Sequence, residues 1–199
     1  MKNLLMIFVK NPALGKVKTR LAQSIGNEKA LQIYLYLLKF THQITKNLTC
    51  DKAVFYSDFI EQHDLWENET YQKYLQSGTH LGERMYQAFE VSFRKGYEKI
   101  LIIGSDCLEL NPEIIKVGFQ VLDDQDVVIG PARDGGYYLL GMKTPLRFIF
   151  ENKTWSSPTV FEDTIRDLTH HHTSYDILPV LSDIDREEDL DGIDLDNLA

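Results

Sequence analysis

The sequence predicts an α/β fold in which helices cover a mostly parallel sheet. Segments with the composition of strands alternate with segments of helical periodicity, which is typical of such folds. Residues 100–103 are apolar on both faces, as in a central parallel strand, and they lead directly into Gly104, Ser105 and Asp106. Because open α/β sheets bind ligands outside the carboxyl ends of their strands, Asp106 is the first candidate for the functional centre.

Length and composition favour one compact unit, and we expect a single domain over residues 1–199. The chain is 43% hydrophobic, which is enough to build a core. Its formal net charge of −9 argues against non-specific binding to nucleic acid or to an anionic membrane, since both require a basic surface. The first apolar run is too short for a signal peptide, and no later segment is long enough to cross a membrane. The two cysteines lack CxxC spacing, so we expect a cytoplasmic protein; the oligomeric state is not predicted.

The first part of the chain is expected to form two strands around a long helix. Residues 4–9 form the first strand, and a loop leads from it to a helix over residues 27–46, where apolar side chains recur at helical spacing. The second strand lies at residues 53–57. Residues 59–75 are polar and aromatic without clean periodicity, so they are predicted to be a helix or an irregular segment.

Two helices are predicted on either side of the strand at residues 100–103. The helix at residues 81–93 brings apolar side chains onto one face at a spacing of four, and Gly96 is expected to end it. The helix at residues 112–122 has Asn111 as its expected cap and begins with a proline, which suits a first helical turn.

The last part of the chain is expected to add two strands, a helix and an extended segment. These are residues 126–130, 136–142, 160–168 and 175–181, respectively. Residues 156–159 offer a serine cap and a proline at the entrance to the helix. The tail from Asp183 onward is acidic.

The loop after the first strand is basic in an otherwise acidic protein. Residues 10–20 contain four Lys or Arg residues and no Asp or Glu. A strand, a loop with a glycine, and then cations and a hydroxyl group ahead of a helix are typical of phosphate binding. The alternative is a solvated basic loop, and neither the P-loop nor the GxGxxG pattern is present. The candidate phosphate ligands are Lys10, Gly15, Lys16, Lys18, Thr19 and Arg20.

Asp106 is both a candidate metal ligand and a candidate catalytic residue. A single carboxylate can bind Mg²⁺ when substrate phosphates and waters complete the octahedron, so an Asp at a strand end beside a phosphate-binding loop is chemically sensible. Its alternative role is to cap the following helix. The adjacent Cys107 is expected to be a packed thiol rather than a nucleophile.

Two further segments carry candidate acids. Asp134, Gly135 and Gly136 lie between two predicted strands, where bare backbone beside a carboxylate would let a flat sugar or nucleotide approach; the alternative is an ordinary turn. Asp183 and Asp185 would point to the same side of an extended segment and could bind one cation together. The alternative for this segment is an acidic helix start capped by Asp185.

Six motifs, spread over nearly the whole chain, together resemble a known family. They are Phe-Val-Lys-Asn-Pro at 8–12 with Gly-Lys-Val-Lys-Thr-Arg-Leu-Ala at 15–22, Leu-Gly-Glu-Arg-Met at 81–85, Ile-Gly-Ser-Asp at 103–106, Gly-Pro-Ala-Arg-Asp-Gly-Gly-Tyr at 130–137, Trp-Ser at 155–156, and Asp-Ile-Asp at 183–185 with Asp-Leu at 189–190. In this order they resemble the nucleotide-diphospho-sugar transferase (GT-A) superfamily. Within it they look like the DUF2064 group of rSAM/selenodomain-associated transferases, whose relatives include the 2-phospholactate and molybdenum-cofactor guanylyltransferases.

The resemblance implies a three-layer Rossmann-like sandwich with a mostly parallel mixed sheet, which binds a nucleotide through the first loop. It places Asp106 as the metal-binding acid and suggests Asp183 or Asp185 as a second one. The chain departs from the family pattern at three points. The D-x-D signature is reduced to Asp106 alone, Leu108 stands where the group usually has a proline, and His80 stands where it often has an acid.

These observations lead to the hypothesis of a Mg²⁺- or Mn²⁺-dependent glycosyltransferase, which moves a sugar from a nucleoside diphosphate sugar to a small acceptor. Lys16, Lys18 and Arg20 would hold the diphosphate, and Asp134 or Glu109 would be the base. One alternative is a guanylyltransferase-like nucleotidyltransferase that releases pyrophosphate from a nucleoside triphosphate. The other is a nucleotide-sensing domain without catalysis.

Overall fold

The computed structural model describes residues 2–190, and its centre is a seven-stranded mixed sheet. The strands are β1 (Asn3–Val9), β2 (Asp51–Tyr56), β3 (Tyr71–Leu75), β4 (Lys99–Ile103), β5 (Val127–Pro131), β6 (Tyr137–Met142) and β7 (Tyr175–Ile177). Their order in the sheet is β3-β2-β1-β4-β6-β5-β7. Strand β6 is antiparallel to β4 and β5, and the other neighbouring pairs are parallel, which confirms the predicted mostly parallel mixed sheet.

Helices cover both faces of this sheet. They are α1 (Thr19–Ile25), α2 (Asn27–Thr45), α3 (Leu81–Arg94), α4 (Pro112–Asp124) and α5 (Val160–His170), with 3-10 turns at Arg147–Phe150 and Glu187–Leu190. Helices α2 and α4 pack on one face, α3 and α5 pack on the other, and α1 packs against α2. The predicted three-layer sandwich is therefore confirmed. None of these helices is long and apolar enough to cross a membrane.

The central strands are apolar on both sides because both of their faces are covered. In β1, Leu5 and Ile7 belong to the core beneath α2 and α4, whereas Leu4 and Met6 belong to the core beneath α3 and α5. All residues of β4 are buried, as residues 100–103 were predicted to be. Near-continuous apolar runs are the sequence pattern of strands enclosed between two helical layers.

The strong local signals for helix ends are confirmed. Asn111 Oδ1 accepts hydrogen bonds from the backbone N–H groups of Glu113 and Ile114 and thereby caps α4. Helix α3 ends at Arg94, and Gly96 follows with φ +83°, a conformation that glycine adopts without steric cost.

The prediction for residues 59–75 is wrong at its end. Tyr71–Leu75 form the edge strand β3, which pairs in parallel with β2. Only Tyr71 of this strand is buried, because an edge strand exposes much of its length to water. Its sequence therefore lacks the apolar pattern that identified the central strands.

Two helix starts also differ from the prediction. The expected loop between β1 and α2 contains the short helix α1, whose N-cap residue, Lys18, makes no side-chain cap hydrogen bond. Helix α5 begins at Val160 with Thr159 as N-cap, again without such a bond, so the expected serine cap at Ser156 is wrong. Both starts are fixed by contacts with distant segments, which a local capping signature does not record.

Replacing Phe89 with Ala should lower the free energy of unfolding by about 3–5 kcal/mol, because the lost side chain leaves a cavity in a close-packed core. Phe89 on α3 is completely buried and lies beside Phe93 and Phe150. Urea denaturation would measure the change. Val91 on the same helix is 43% exposed, so the control Val91→Ala should change stability by about 0.5 kcal/mol or less. Equal losses for the two variants would contradict the packing of α3 described above.

Candidate functional site

The carboxyl ends of β1 and β4 lie side by side and bring two predicted motifs together. The two strands are parallel, with Ile7 opposite Ile103. The basic loop leaves β1 after Val9, and residues 104–106 leave β4 after Ile103, so both motifs start at the same edge of the sheet. A cavity of about 590 Å³ opens at this edge, a size typical of small-ligand sites.

Most of the predicted site residues line this cavity. Those that do are Lys10, Lys18, Thr19, Arg20, Asp106, Asp134, Gly136, Asp183 and Asp185. They come from four separate stretches of the chain, and the fold brings them to one place. Gly15, Lys16 and Gly135 lie outside the lining, as does the candidate base Glu109.

Lys18 is the buried cation of the site. It lies at the N-terminus of α1 with φ 47° and ψ 46°, in the left-handed region that residues other than glycine rarely adopt. Its side chain is only 4% exposed, and Nζ lies 3.0 Å from Asp106 Oδ2. Nζ also donates a hydrogen bond to the Ile184 carbonyl oxygen at 2.6 Å. A buried charge needs such partners, and they join three segments that are far apart in sequence.

Two further contacts hold the acidic segment near the end of the described chain against the cavity. The backbone N–H of Ile184 donates to the main-chain oxygen of Asp106 at 2.8 Å. Arg20 Nη1 lies 2.7 Å from Asp185 Oδ2, in an ion pair that is largely open to solvent. The Asp189 carboxylate accepts a hydrogen bond from the backbone N–H of Asp185 at 2.9 Å. Asp185 therefore pairs with Arg20 at the edge of the cavity.

Asp183 holds its proton more tightly than an ordinary Asp. Burial raises its pKa, the negative charges of Asp106 and Asp134 raise it further, and Lys18 lowers it, with a resulting pKa of about 7. Burial and like charges both disfavour the ionised carboxylate. One side of the cavity is thus crowded with carboxyl groups whose mutual repulsion a bound cation would relieve.

Asp106 and Asp183 are the carboxylates that best fit a divalent metal ion. Both line the cavity, and the effect of Asp106 on the pKa of Asp183 reflects their proximity. Within residues 2–190, no three His, Cys, Asp or Glu side chains are grouped to hold a metal by themselves. Mg²⁺ commonly binds through one or two carboxylates together with waters and substrate phosphates. The residues therefore fit a metal that binds with a phosphate-bearing substrate, while Asp185 is engaged by Arg20.

The turn between β5 and β6 places Asp134 on the cavity wall. Asp134 Oδ1 accepts a hydrogen bond from the Gly136 N–H at 2.9 Å, which fixes one oxygen of the carboxylate. Gly135 has φ +88°, and a Cβ atom there would lie 1.9 Å from the Pro158 carbonyl oxygen. The Gly135 carbonyl accepts a hydrogen bond from the Phe161 N–H at 2.9 Å. The space beside this glycine is therefore taken by Pro158 and the start of α5.

Three predictions about single residues near the cavity have different outcomes. Cys107 is buried, and burial raises the pKa of its thiol to about 12, which confirms a packed thiol. Glu109 accepts a hydrogen bond from the Ser182 N–H at 2.8 Å, so one of its oxygens has a structural partner. The side chain of Lys16 is exposed to solvent outside the cavity lining.

Tyr34 is a site residue that the sequence did not reveal. Its hydroxyl accepts a hydrogen bond from the Lys10 N–H at 2.8 Å and donates one to the Lys10 carbonyl oxygen at 3.0 Å. These bonds fix the start of the basic loop against α2. Tyr34 recurs at helical spacing with the buried residues of α2 and is itself only 2% exposed, so its pattern is that of an ordinary core residue.

A second part of the cavity lining was also missed. Trp155 and Arg84 line the cavity there, with Ser156 beside the indole. Gly82 lies directly under Trp155, since a Cβ atom at Gly82 would be 2.2 Å from the indole ring. The motifs at 81–85 and 155–156 were recognised by resemblance without a role, and the direct packing of Trp155 on Gly82 explains why they occur together.

Comparison with known proteins gives one family and several structural neighbours. A family model described as "Uncharacterized protein conserved in bacteria (DUF2064)" matches residues 40–157. No curated protein matches the chain in sequence. A solved structure of a candidate nucleotide-diphospho-sugar transferase from Desulfovibrio desulfuricans is similar, with a TM-score of 0.84 and 30% identity over 94% of this chain and 84% of that chain.

Two more distant structures share the architecture. The inositol-1-phosphate CTP transferase from T. maritima has a TM-score of 0.63 at 13% identity, covering 99% of this chain and 95% of that chain. The 4-diphosphocytidyl-2C-methyl-D-erythritol synthase from Anaerococcus prevotii has a TM-score of 0.56 at 12% identity, covering 95% of this chain and 92% of that chain. At these identities the likeness concerns the fold alone, and it agrees with the fold that the sequence motifs implied.

In the metal-free protein, the contribution of Asp183 to stability should fall as the pH rises from about 4 to about 7. The folded protein keeps the proton on this carboxyl up to pH about 7, whereas the unfolded chain releases it near pH 4. Asp183→Asn removes this loss, so the stability of the variant relative to wild type should increase across the same pH window. Urea denaturation at a series of pH values measures the difference in free energy of unfolding between the variant and wild type. A difference that does not change with pH would contradict the raised pKa of Asp183.

NMR titration of the carboxyl groups can test separately what raises the pKa of Asp183. Asp106→Asn should lower the pKa of Asp183, because it removes the neighbouring charge that raises it most. Asp176 is exposed on β7, so the control Asp176→Asn should leave the titration of Asp183 in place.

Proposed function

The chain belongs to the DUF2064 family, and we propose that it is a transferase that binds a nucleoside diphosphate sugar and passes the sugar to a small acceptor. The observation that carries this proposal is the meeting of the basic loop and the acidic segments in one cavity, where Lys18 Nζ lies 3.0 Å from Asp106 Oδ2. Such a cavity combines cations for a diphosphate with carboxylates for a metal ion. The similarity to the Desulfovibrio desulfuricans protein, described as a candidate nucleotide-diphospho-sugar transferase, supports the same substrate class.

Lys10, Lys18 and Arg20 would supply positive charge to the diphosphate in different ways. The Arg20 side chain is 55% exposed, and an exposed ion pair contributes little to stability, so Arg20 can turn from Asp185 to a phosphate at small cost. Lys18 is buried beside Asp106 and would act through its fixed positive charge. The exposed side chain of Lys16 would have to reach the diphosphate from outside the cavity lining.

Asp106 and Asp183 would hold Mg²⁺ or Mn²⁺. When bound, the metal supplies positive charge that stabilises the departing diphosphate. Lys18 lies next to the same carboxylate and would add its charge to the same region. Because these charges are fixed before the reaction, they would favour the transition state without a cost of reorganisation.

Asp134 is the residue best placed to take a proton from the acceptor. In the transfer, the bond between the anomeric carbon and the diphosphate oxygen breaks, and a bond from the acceptor oxygen to that carbon forms. The proton of the acceptor hydroxyl would pass to the Asp134 oxygen that does not bind the Gly136 N–H. Glu109 suits this role less well, because it lies outside the cavity lining.

A nucleotidyltransferase is the second candidate. Here the acceptor would attack the α-phosphate of a nucleoside triphosphate, and pyrophosphate would leave. The closely placed Lys18 and Asp106 suit this chemistry as well, since both reactions develop negative charge on phosphate oxygens. The T. maritima neighbour is described as a CTP transferase, so the same fold supports that reaction in another protein.

Nucleoside diphosphate sugars should raise the melting temperature of the protein when Mg²⁺ or Mn²⁺ is present, because a ligand that binds only the folded state stabilises it. Asp106→Asn should weaken this binding by about tenfold or more in the presence of metal, and have a smaller effect in its absence. A thermal-shift panel followed by calorimetry measures both. The control Asp124→Asn changes an exposed acid outside the cavity and should bind like wild type. Metal-dependent binding that is untouched by Asp106→Asn would overturn the proposed site.

The leaving group distinguishes the two reactions. With a nucleoside diphosphate sugar as donor, release of a nucleoside diphosphate is expected. Release of pyrophosphate from a nucleoside triphosphate, without turnover of any sugar donor, would replace the first candidate by the second. Nucleotide binding with no turnover of either donor would indicate a sensing domain.

A further inference from the structure

Arg84 is a guanidinium on the cavity wall that forms no ion pair within residues 2–190. Arg20, Arg94, Arg147 and Arg166 each pair with a carboxylate, whereas Arg133 and Arg186 resemble Arg84 in having no ion pair there but lie outside the cavity lining. We propose that Arg84 binds an anionic group of the acceptor, either a phosphate or a carboxylate. The inference rests on the proposed function, because it assigns the chemical class of the second substrate of the same cavity.

The guanidinium of Arg84 is held in place by neutral partners. Arg84 Nε donates to the Gly78 carbonyl oxygen at 3.1 Å, and Nη1 lies 3.4 Å from Gln76 Oε1. Gln76 is itself fixed, because its Nε2 donates to the carbonyl oxygens of Val9 at 3.2 Å and Phe55 at 2.9 Å. Arginine has five N–H donors, and these contacts use one at Nε and one at Nη1, which leaves three at the Nη end for a ligand. The positive charge is therefore oriented but not neutralised.

The position of Arg84 in its helix also points to a bound anion. Arg84 lies in the first turn of α3, which begins at Leu81, and a cation there opposes the helix dipole. The neighbouring acid Glu83 does not compensate for it directly. Its carboxylate accepts hydrogen bonds from the N–H and hydroxyl groups of Thr79, each at 2.7 Å. An anion bound to Arg84 would remove this unfavourable arrangement.

The distribution of charge in the cavity explains why the acceptor would need this residue. Lys18 and Arg20 already face carboxylates and are assigned to the diphosphate. Asp134 and Asp183 would repel an anionic acceptor from their side of the cavity. Arg84 provides an attractive charge in the first turn of α3, where Trp155 packs on Gly82.

Calorimetry with simple anions tests the inference without nucleotide or metal. The probes are inorganic phosphate, glycerol phosphate and acetate, titrated into wild type, Arg84→Gln, Arg84→Lys and Arg20→Gln. Arg84→Gln should weaken binding of the preferred anion by about tenfold or more. Arg84→Lys should weaken binding less, because lysine keeps the positive charge but lacks the planar, bidentate N–H donors of arginine. Arg94→Gln is the matched control, since Arg94 lies on the same helix, is 71% exposed and pairs with Glu90. Circular dichroism shows whether each variant is folded.

The comparison between probes decides which anion the site prefers, because acetate tests a carboxylate and the other two test a phosphate. Wild-type protein that binds none of the probes would overturn the inference. So would anion binding that is lost in Arg20→Gln and kept in Arg84→Gln, or an Arg84→Gln variant that loses nucleotide binding instead. Anion binding that depends on Arg84, in a protein that binds no nucleotide, would support the anion site and overturn the proposed function.

Discussion

Lys18 Nζ holds together three segments that the sequence keeps far apart. It lies on the loop after β1, and its partners are Asp106 after β4 and the Ile184 carbonyl near the end of the described chain. Removing one partner of a buried pair typically costs about 3–5 kcal/mol, because the remaining charge is left without compensation. The Asp106 side chain is 44% exposed, so water would offset part of this cost. Leu21 and Ile184 belong to one apolar cluster, which strengthens the same junction.

The contact between Lys18 and Asp106 also affects what the cavity can bind, because it favours a metal cation and an anionic diphosphate together. Lys18 is the buried cation among several carboxyl groups, and the pKa of Asp183 rises because of its burial and because the neighbouring negative charge is not fully balanced. A divalent cation would relieve this repulsion but would need further oxygen ligands, which phosphates supply. A diphosphate alone would meet Asp106 and Asp183 at close range. Metal and diphosphate binding are therefore expected to depend on each other.

The features that could be predicted from the sequence are those that depend on residues close together in the chain. Residues 100–103 were recognisable because strands covered on both faces are apolar throughout, and Asp106 because ligands of open α/β sheets bind outside the carboxyl ends of such strands. The start of α1 was not recognisable, since the left-handed conformation of Lys18 goes with a contact to a residue far along the chain. Tyr34 and Arg84 were missed for a related reason. Their role depends on neighbours that only the tertiary structure brings to them, and their local patterns resemble those of ordinary helix residues.

The two walls of the cavity are built by different physical means, and this difference bears on specificity. The wall at the basic loop is held by charge, and its groups recognise phosphates, which all nucleotides share. The part of the lining at Trp155 is held by close packing, because Gly82 leaves space that the indole ring fills. A Cβ atom at Gly82 would collide with the indole ring of Trp155, so this packed wall has little freedom to move. A rigid wall with one oriented charge can reject ligands of the wrong shape or charge, whereas the phosphate wall cannot. Differences in acceptor among related proteins should therefore arise from residues of the packed wall.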